Sequence, residues 1–149
     1  MKTFIHCGDN KYNSEKFKSI KNIPNASKPE GGLWASEIND DYGWLDWCSK
    51  TKYNIHSDIN NSFKFKIKNN ANIVYIEEPY DPLFKLPLLA SKMPYYCIDF
   101  EECINRGIDA IYTKLYSKDY PHGSFLVAYI GEWDCNSILI LNKNIIQPL

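Results

Sequence analysis

The stretch Lys28-Pro29-Glu30-Gly31-Gly32-Leu33-Trp34-Ala35-Ser36 sets a large aromatic between a double glycine and a serine. Taken as backbone, Gly32 to Ser36 is an apolar segment entered through residues that permit close approach, which predicts a strand. Taken as chemistry, the glycines admit a ligand to the backbone and Trp34 offers a flat indole on which a heteroaromatic ring can stack. A core aromatic on an edge strand is the plainer use of the same residues.

Working outward, Thr3 to Cys7 predicts an earlier strand, stopped by the turn cluster Gly8-Asp9-Asn10. On the other side, Asp40-Asp41 can cap a helix over Tyr42 to Lys52, with Trp44, Trp47 and Cys48 on one face. Phe63, Phe65 and Ile67 alternate with Lys64, Lys66 and Lys68. Asn69-Asn70 breaks the run and Ile73 to Ile76 resumes it, which predicts two antiparallel strands joined by a polar turn. The proline-punctuated stretch Pro79 to Pro94 reads as a long loop over the sheet. Asp99 with Glu102 three residues on predicts a short helix with Phe100, Cys103 and Ile104 on its face, ending at Gly107. Ile108 to Lys114, Phe125 to Ile130 and Ser137 to Leu141 each read as strands. Strands outnumber helices without βαβ alternation, so the expected class is α+β: one domain over residues 1–149, mainly antiparallel, with a few short helices.

The 149 residues are 44% hydrophobic and 23% charged, the composition of a globular chain. A formal charge of -1 excludes a global attraction for nucleic acid or an anionic membrane. Lys64, Lys66 and Lys68 alternate with an apolar face, so a solvated strand explains them better than a nucleic-acid interface. Five scattered cysteines without a C-x-x-C pair predict reduced thiols in a cytosol. They and the three histidines lack metal-ligand spacing. No run approaches the ~18 apolar residues of a membrane helix, and MKTFIHCGDN has no apolar signal core, so neither membrane nor export is expected.

Three other features carry candidate chemistry. His6, at the end of the first expected strand and two residues before Gly8, can hydrogen-bond a sugar hydroxyl or act in acid/base work; a half-buried histidine satisfied by backbone is the bland alternative. In Gly131-Glu132-Trp133-Asp134-Cys135-Asn136-Ser137 the two acids face the same way if the chain is extended. They can then orient a sugar hydroxyl and stabilise a cationic transition state, unless the segment is only a polar loop. A thiol nucleophile, Cys135 or Cys7 with His56 or His122 as base, has no local signature behind it.

The order strand-His6-x-Gly8, then Gly32-Leu33-Trp34-Ala35-Ser36, then an aromatic helix, then an acid beside a late strand resembles the catalytic core of the ADP-ribosyltransferase superfamily, in its diphtheria-toxin and poly(ADP-ribose) polymerase branch. The chain also looks like a group of small phage-encoded proteins sharing KP-x-GLW-x-S, W-x-x-W-C and W-D-C-x-S, here Lys28 to Ser36 with one additional residue before Gly32, Trp44 to Cys48 and Trp133 to Ser137. The first resemblance implies a split sheet core that binds NAD. His6 would hold the adenosine ribose, Gly8 and Gly32 would give the dinucleotide backbone clearance, and Trp34 would stack on nicotinamide in place of the branch's tyrosine. Ser36 would lie near the ribose or the amide. Ser137 stands where the branch places its glutamate, with Asp134 three residues earlier and Glu132 five. Either the loop delivers Asp134 as the catalytic acid or catalysis is weakened or lost. The implied activity is transfer of ADP-ribose to a host protein or nucleic acid, or NAD hydrolysis, by a phage-encoded agent in the host cytoplasm. The alternative is an inactive protein of the same fold that inhibits a host defence complex.

Overall fold

The computed structural model describes residues 2–53, 59–90, 96–118 and 133–149. Its organising element is a seven-stranded sheet. The strands are β1 (Phe4–Cys7), β2 (Leu33–Glu37), β3 (Ser62–Ile67), β4 (Ile73–Ile76), β7 (Ala110–Thr113), β8 (Ile138–Ile140) and β9 (Ile146–Pro148). They lie in the order β4-β7-β8-β2-β1-β3-β9. Each neighbouring pair is antiparallel except β4 and β7. A separate antiparallel ribbon joins β5 (Leu88–Ala90) to β6 (Tyr96–Ile98). The helices α1 (Trp44–Thr51), α2 (Asp81–Lys85) and α3 (Phe100–Asn105) are all short. The architecture is therefore α+β and mostly antiparallel, as the residue pattern predicts.

Alternation along the strands assigns two cores. On β8 and just beyond it, Leu139 and Leu141 join a cluster with Trp133, Ile111, Phe100 and Cys103, while Ile138 and Ile140 join Phe4, Phe65, Tyr112 and Ile146. Buried on both faces, β7 and β8 read as unbroken apolar runs. The sheet curls around the second cluster, which takes Ile67 from β3 and packs Ile73 of β4 although these strands stand far apart in the sheet order.

That curl corrects the hairpin expected over Phe63 to Glu78. Both strands form, but β3 pairs with β1 and β9, and β4 pairs in parallel with β7. The expected loop over Pro79 to Pro94 contains α2 and β5. Pro82 falls in the first turn of α2, where no backbone donor is needed, and the Asp81 carboxylate accepts from the amides of Glu77 and Glu78. Helix α3 starts as predicted, with the Asp99 Oδ1 accepting from the Glu102 amide at 3.0 Å, and Gly107 follows it at φ 72°. Ile104 does not join its buried face, being 42% exposed. Helix α1 begins after Gly43, and Asp40 caps the turn before it through the Tyr42 amide at 3.0 Å. The expected strand Phe125 to Ile130 lies outside the described residues.

None of the five cysteines is in a disulfide. No helix among the described residues is long and apolar enough to cross a membrane.

Candidate functional site

Strand β2 changes partner halfway along. Ser36 and Glu37 pair with β1, opposite Ile5 and Phe4, whereas Leu33 to Ala35 pair with β8. Above the Ile5–Ser36 pair the strands part. Continued register would set His6 against Ala35 and Cys7 against Trp34. A cleft of about 490 Å³ opens there instead, lined by those four residues together with Gly8, Asp9, Lys28, Ser36, Trp44 and the segment Trp133, Asp134, Cys135 and Ser137.

His6 bridges the gap through Nδ1, which donates to the Trp34 carbonyl oxygen at 2.7 Å. A carbonyl only accepts, so a proton is on Nδ1, and in the uncharged tautomer that leaves Nε2 as an acceptor. The ring rests against Phe63, centroid to centroid 5.1 Å. Trp34 lies partly buried and meets Trp133 edge-to-face at 4.5 Å. Trp133 is itself buried, and its Nε1 donates to the Ser27 carbonyl at 3.0 Å. Trp44 enters from α1, stacked on Trp47 with centroids 5.1 Å apart. Three indoles therefore reach one cleft.

The carboxylate among the indoles is that of Asp134. It forms an ion pair with Lys28, Nζ to Oδ2 3.2 Å, and the same ammonium stands 5.9 Å from the centroid of the Trp34 ring. Asp9, also among the lining residues, is paired with Lys16. The loop carrying Asp134 is fixed by Asn136. Its amide nitrogen donates to both Asp40 oxygens at 3.2 Å and to the Tyr116 carbonyl at 2.9 Å, and its backbone N–H donates to the Tyr42 carbonyl at 2.9 Å.

Of the residues expected at a ligand site, His6, Gly8, Trp34, Ser36, Asp134 and Ser137 are brought together. Glu132 lies outside the described residues, as do His56 and His122. Gly32 is not among the residues lining the cleft. A Cβ there would approach Ile20 Cδ1 to 2.7 Å and the Ile140 carbonyl oxygen to 2.9 Å, so its bareness serves packing beneath β2. Gly31 behaves alike, with the Ser19 carbonyl in the way of any side chain. Ser36 is only 1% exposed and its hydroxyl is committed, donating to the Asn136 carbonyl at 3.0 Å and accepting from the Trp44 amide at 2.9 Å. The Ser137 hydroxyl donates to the Cys135 carbonyl at 3.0 Å. Burial pushes the Cys135 thiol up to about 11, which disfavours the thiolate that a nucleophile needs. No group of side chains with metal-binding geometry occurs among the described residues.

Sequence reasoning passed over Lys28, Trp44 and Trp133 as site residues, although each lies in one of the three quoted motifs. The signal was that a lysine and several tryptophans accompany the acid and serines of those motifs. Comparisons with family models, curated proteins and solved structures give no match.

Proposed function

We propose that the cleft binds NAD and that the chain is an NAD-dependent ADP-ribosyltransferase or NAD glycohydrolase. One observation carries this reading: His6, Trp34 and Asp134, far apart in the chain, converge on the one gap where β1 and β2 separate. The volume of 490 Å³ suits a ligand bound through part of its length, since small-molecule sites run about 300–1,000 Å³.

Each role follows from the group present. The His6 Nε2 accepts a ribose hydroxyl. The indole of Trp34 stacks on nicotinamide, a flat cationic ring suited to an aromatic face. When the bond between nicotinamide nitrogen and ribose carbon breaks, its electron pair leaves with nicotinamide and positive character grows on the sugar. A carboxylate beside it stabilises that state more than the ground state. The new bond forms from an acceptor oxygen or nitrogen, or from water, which gives up its proton. The acceptor would be a host protein or nucleic acid.

NAD titration with indole fluorescence and calorimetry, followed by assay of nicotinamide release, tests the reading. Saturable quenching is expected, with Asp134→Asn retaining binding and losing turnover. Absence of binding at millimolar NAD would sink it.

The second reading is an inactive member of such a fold that blocks a host defence complex. It is favoured by the hydroxyl of Ser137, turned onto the Cys135 carbonyl at the position where the resemblance calls for an acid. It predicts an unchanged biological effect for Asp134→Asn, whereas loss of effect in a folded variant counts against it.

A further inference from the structure

Lys28 is placed where a ligand's positive charge would sit. Its ammonium lies between the Asp134 carboxylate, 3.2 Å away, and the face of Trp34, 5.9 Å from the ring centroid. The base of this side chain is held firmly, because Ser27 and Pro29 on either side are both buried and the Ser27 carbonyl accepts from Trp133. The head is not held firmly. Side-chain exposures of 41% for Lys28 and 43% for Asp134 make the ion pair one that water already screens. A flexible four-carbon stem lets the ammonium leave without moving the backbone.

We propose that Lys28 is a built-in competitor that sets the charge specificity of the cleft. A flat cationic ring can take the place between Trp34 and Asp134 only by displacing this ammonium. Once displaced, the ammonium stands at the rim with no carboxylate of its own and pairs with an anionic group on the same ligand. Asp9, which also lines the cleft, already has a partner in Lys16, and Lys28 is the lysine among the lining residues that an anionic group can meet. The favoured ligand class is therefore a zwitterion that joins a flat cation to a phosphate. A bare cation loses the displaced ion pair without compensation. The inference rests on the proposed ligand in taking a nicotinamide nucleotide as that zwitterion. It adds that release of Lys28 is what frees the Asp134 carboxylate.

Three probes test it by calorimetry at low ionic strength on wild type, Lys28→Met and Lys28→Arg. They are 1-methylnicotinamide, a cation without phosphate; nicotinamide mononucleotide, which has both charges; and 1-methylquinolinium, a flat cation that is not a nicotinamide. Lys28→Met should bind 1-methylnicotinamide about threefold more tightly and leave nicotinamide mononucleotide near wild type, because the relief of competition and the loss of the phosphate's partner are each the scale of one exposed ion pair, so the preference for the nucleotide over the bare cation falls about threefold. Lys28→Arg should stay near wild type with both. If the two probes shift by the same factor, or neither shifts, in a variant that melts like wild type, the inference is overturned. If only 1-methylquinolinium binds, the nicotinamide reading fails, and a threefold gain for it in Lys28→Met still upholds the role of Lys28. If no flat cation binds either form, Lys28 has no such role.

Discussion

The two ends of β2 are built from the same parts. At the Glu37 end, Lys2 Nζ lies 2.8 Å from Glu37 Oε2 and 4.8 Å from the Tyr112 ring centroid. At the Trp34 end, a lysine again stands between a carboxylate and an aromatic face. The difference is in how far each group is committed. Glu37 also accepts from the Tyr112 hydroxyl at 2.7 Å, and Lys114 approaches both it and Asp40. Among the described residues Asp134 has a single ion pair, with Lys28, and it faces a cleft. Identical chemistry locks one end of the strand and leaves the other end available. Connectivity, more than residue type, separates a stabilising cluster from a candidate site.

The residue that touches both ends should give the largest effect. Asn136 ties Asp40 to Tyr116 and carries the loop of Asp134. Asn136→Ala would leave the half-buried Tyr116 amide and part of the Asp40 carboxylate short of partners, so a loss of about 2–3 kcal/mol is expected, toward the lower part of ~1–3 kcal/mol per abandoned group. Urea denaturation checks this. A loss below ~1 kcal/mol would mean that the loop is not held by this network. Next is Trp34→Ala. The ring is partly buried, so about half of the ~3–5 kcal/mol of a fully buried tryptophan should be lost, roughly 2 kcal/mol, together with at least a tenfold loss of NAD affinity. A stability loss with NAD affinity intact would turn Trp34 back into a packing residue.

Glu37→Gln probes the locked end. Burial works to raise the Glu37 carboxyl, but hydrogen bonds from Lys2 and Tyr112 and the charges of Lys2 and Lys114 outweigh it and hold it below its ordinary 4.5. A carboxyl lowered in the folded state contributes stability above its unfolded value, and that contribution disappears as pH falls through the folded one. Wild type should therefore lose stability on acidification below 4.5, and Glu37→Gln should flatten that limb. At neutral pH the variant should cost about 1.5 kcal/mol, the scale of a hydrogen bond to a charged group, and leave NAD affinity unchanged. An altered affinity would show that the two ends are coupled.

The same contrast explains what the residues disclosed in advance. Strands β1, β2, β7 and β8 were legible because apolar runs and turn clusters are local signals, and α3 because Asp99 and Gly107 mark its ends. The pairing of β3 and β4 was not, because alternation says that a strand has a buried face and nothing about its neighbour. A five-residue connection suggested a hairpin where curvature of the sheet carries the chain around the core. Prolines hid α2, since Pro82 is compatible with a first helical turn as well as with a loop. In the site, His6, Trp34 and Asp134 were legible as chemistry-bearing types near strand ends. Gly32 stands at φ 71° where a Cβ would run into Ile20 and Ile140, which no local pattern could disclose. Ser36 was noticed for its hydroxyl, but only its partners reveal that the hydroxyl is already used.

The smallest stability change is expected where the functional consequence is greatest. Asp134 is 43% exposed in its side chain and pairs with a lysine that is 41% exposed, so Asp134→Asn should move the unfolding free energy by no more than ~0.5 kcal/mol. Its shape is kept and NAD should still bind on Trp34. On the proposed mechanism only the charge opposite the developing cation is removed, and loss of one such group lowers turnover by ~10²–10³ in comparable electrostatic sites. Pairing this variant with Glu37→Gln sharpens the comparison of the two ends. One substitution should cost stability at fixed affinity, and the other turnover at fixed stability. If Asp134→Asn instead unfolds the protein while nicotinamide release in the surviving fraction is unchanged, Lys28–Asp134 is a second structural lock, and the cleft above Ile5 and Ser36 has no catalytic acid in Asp134.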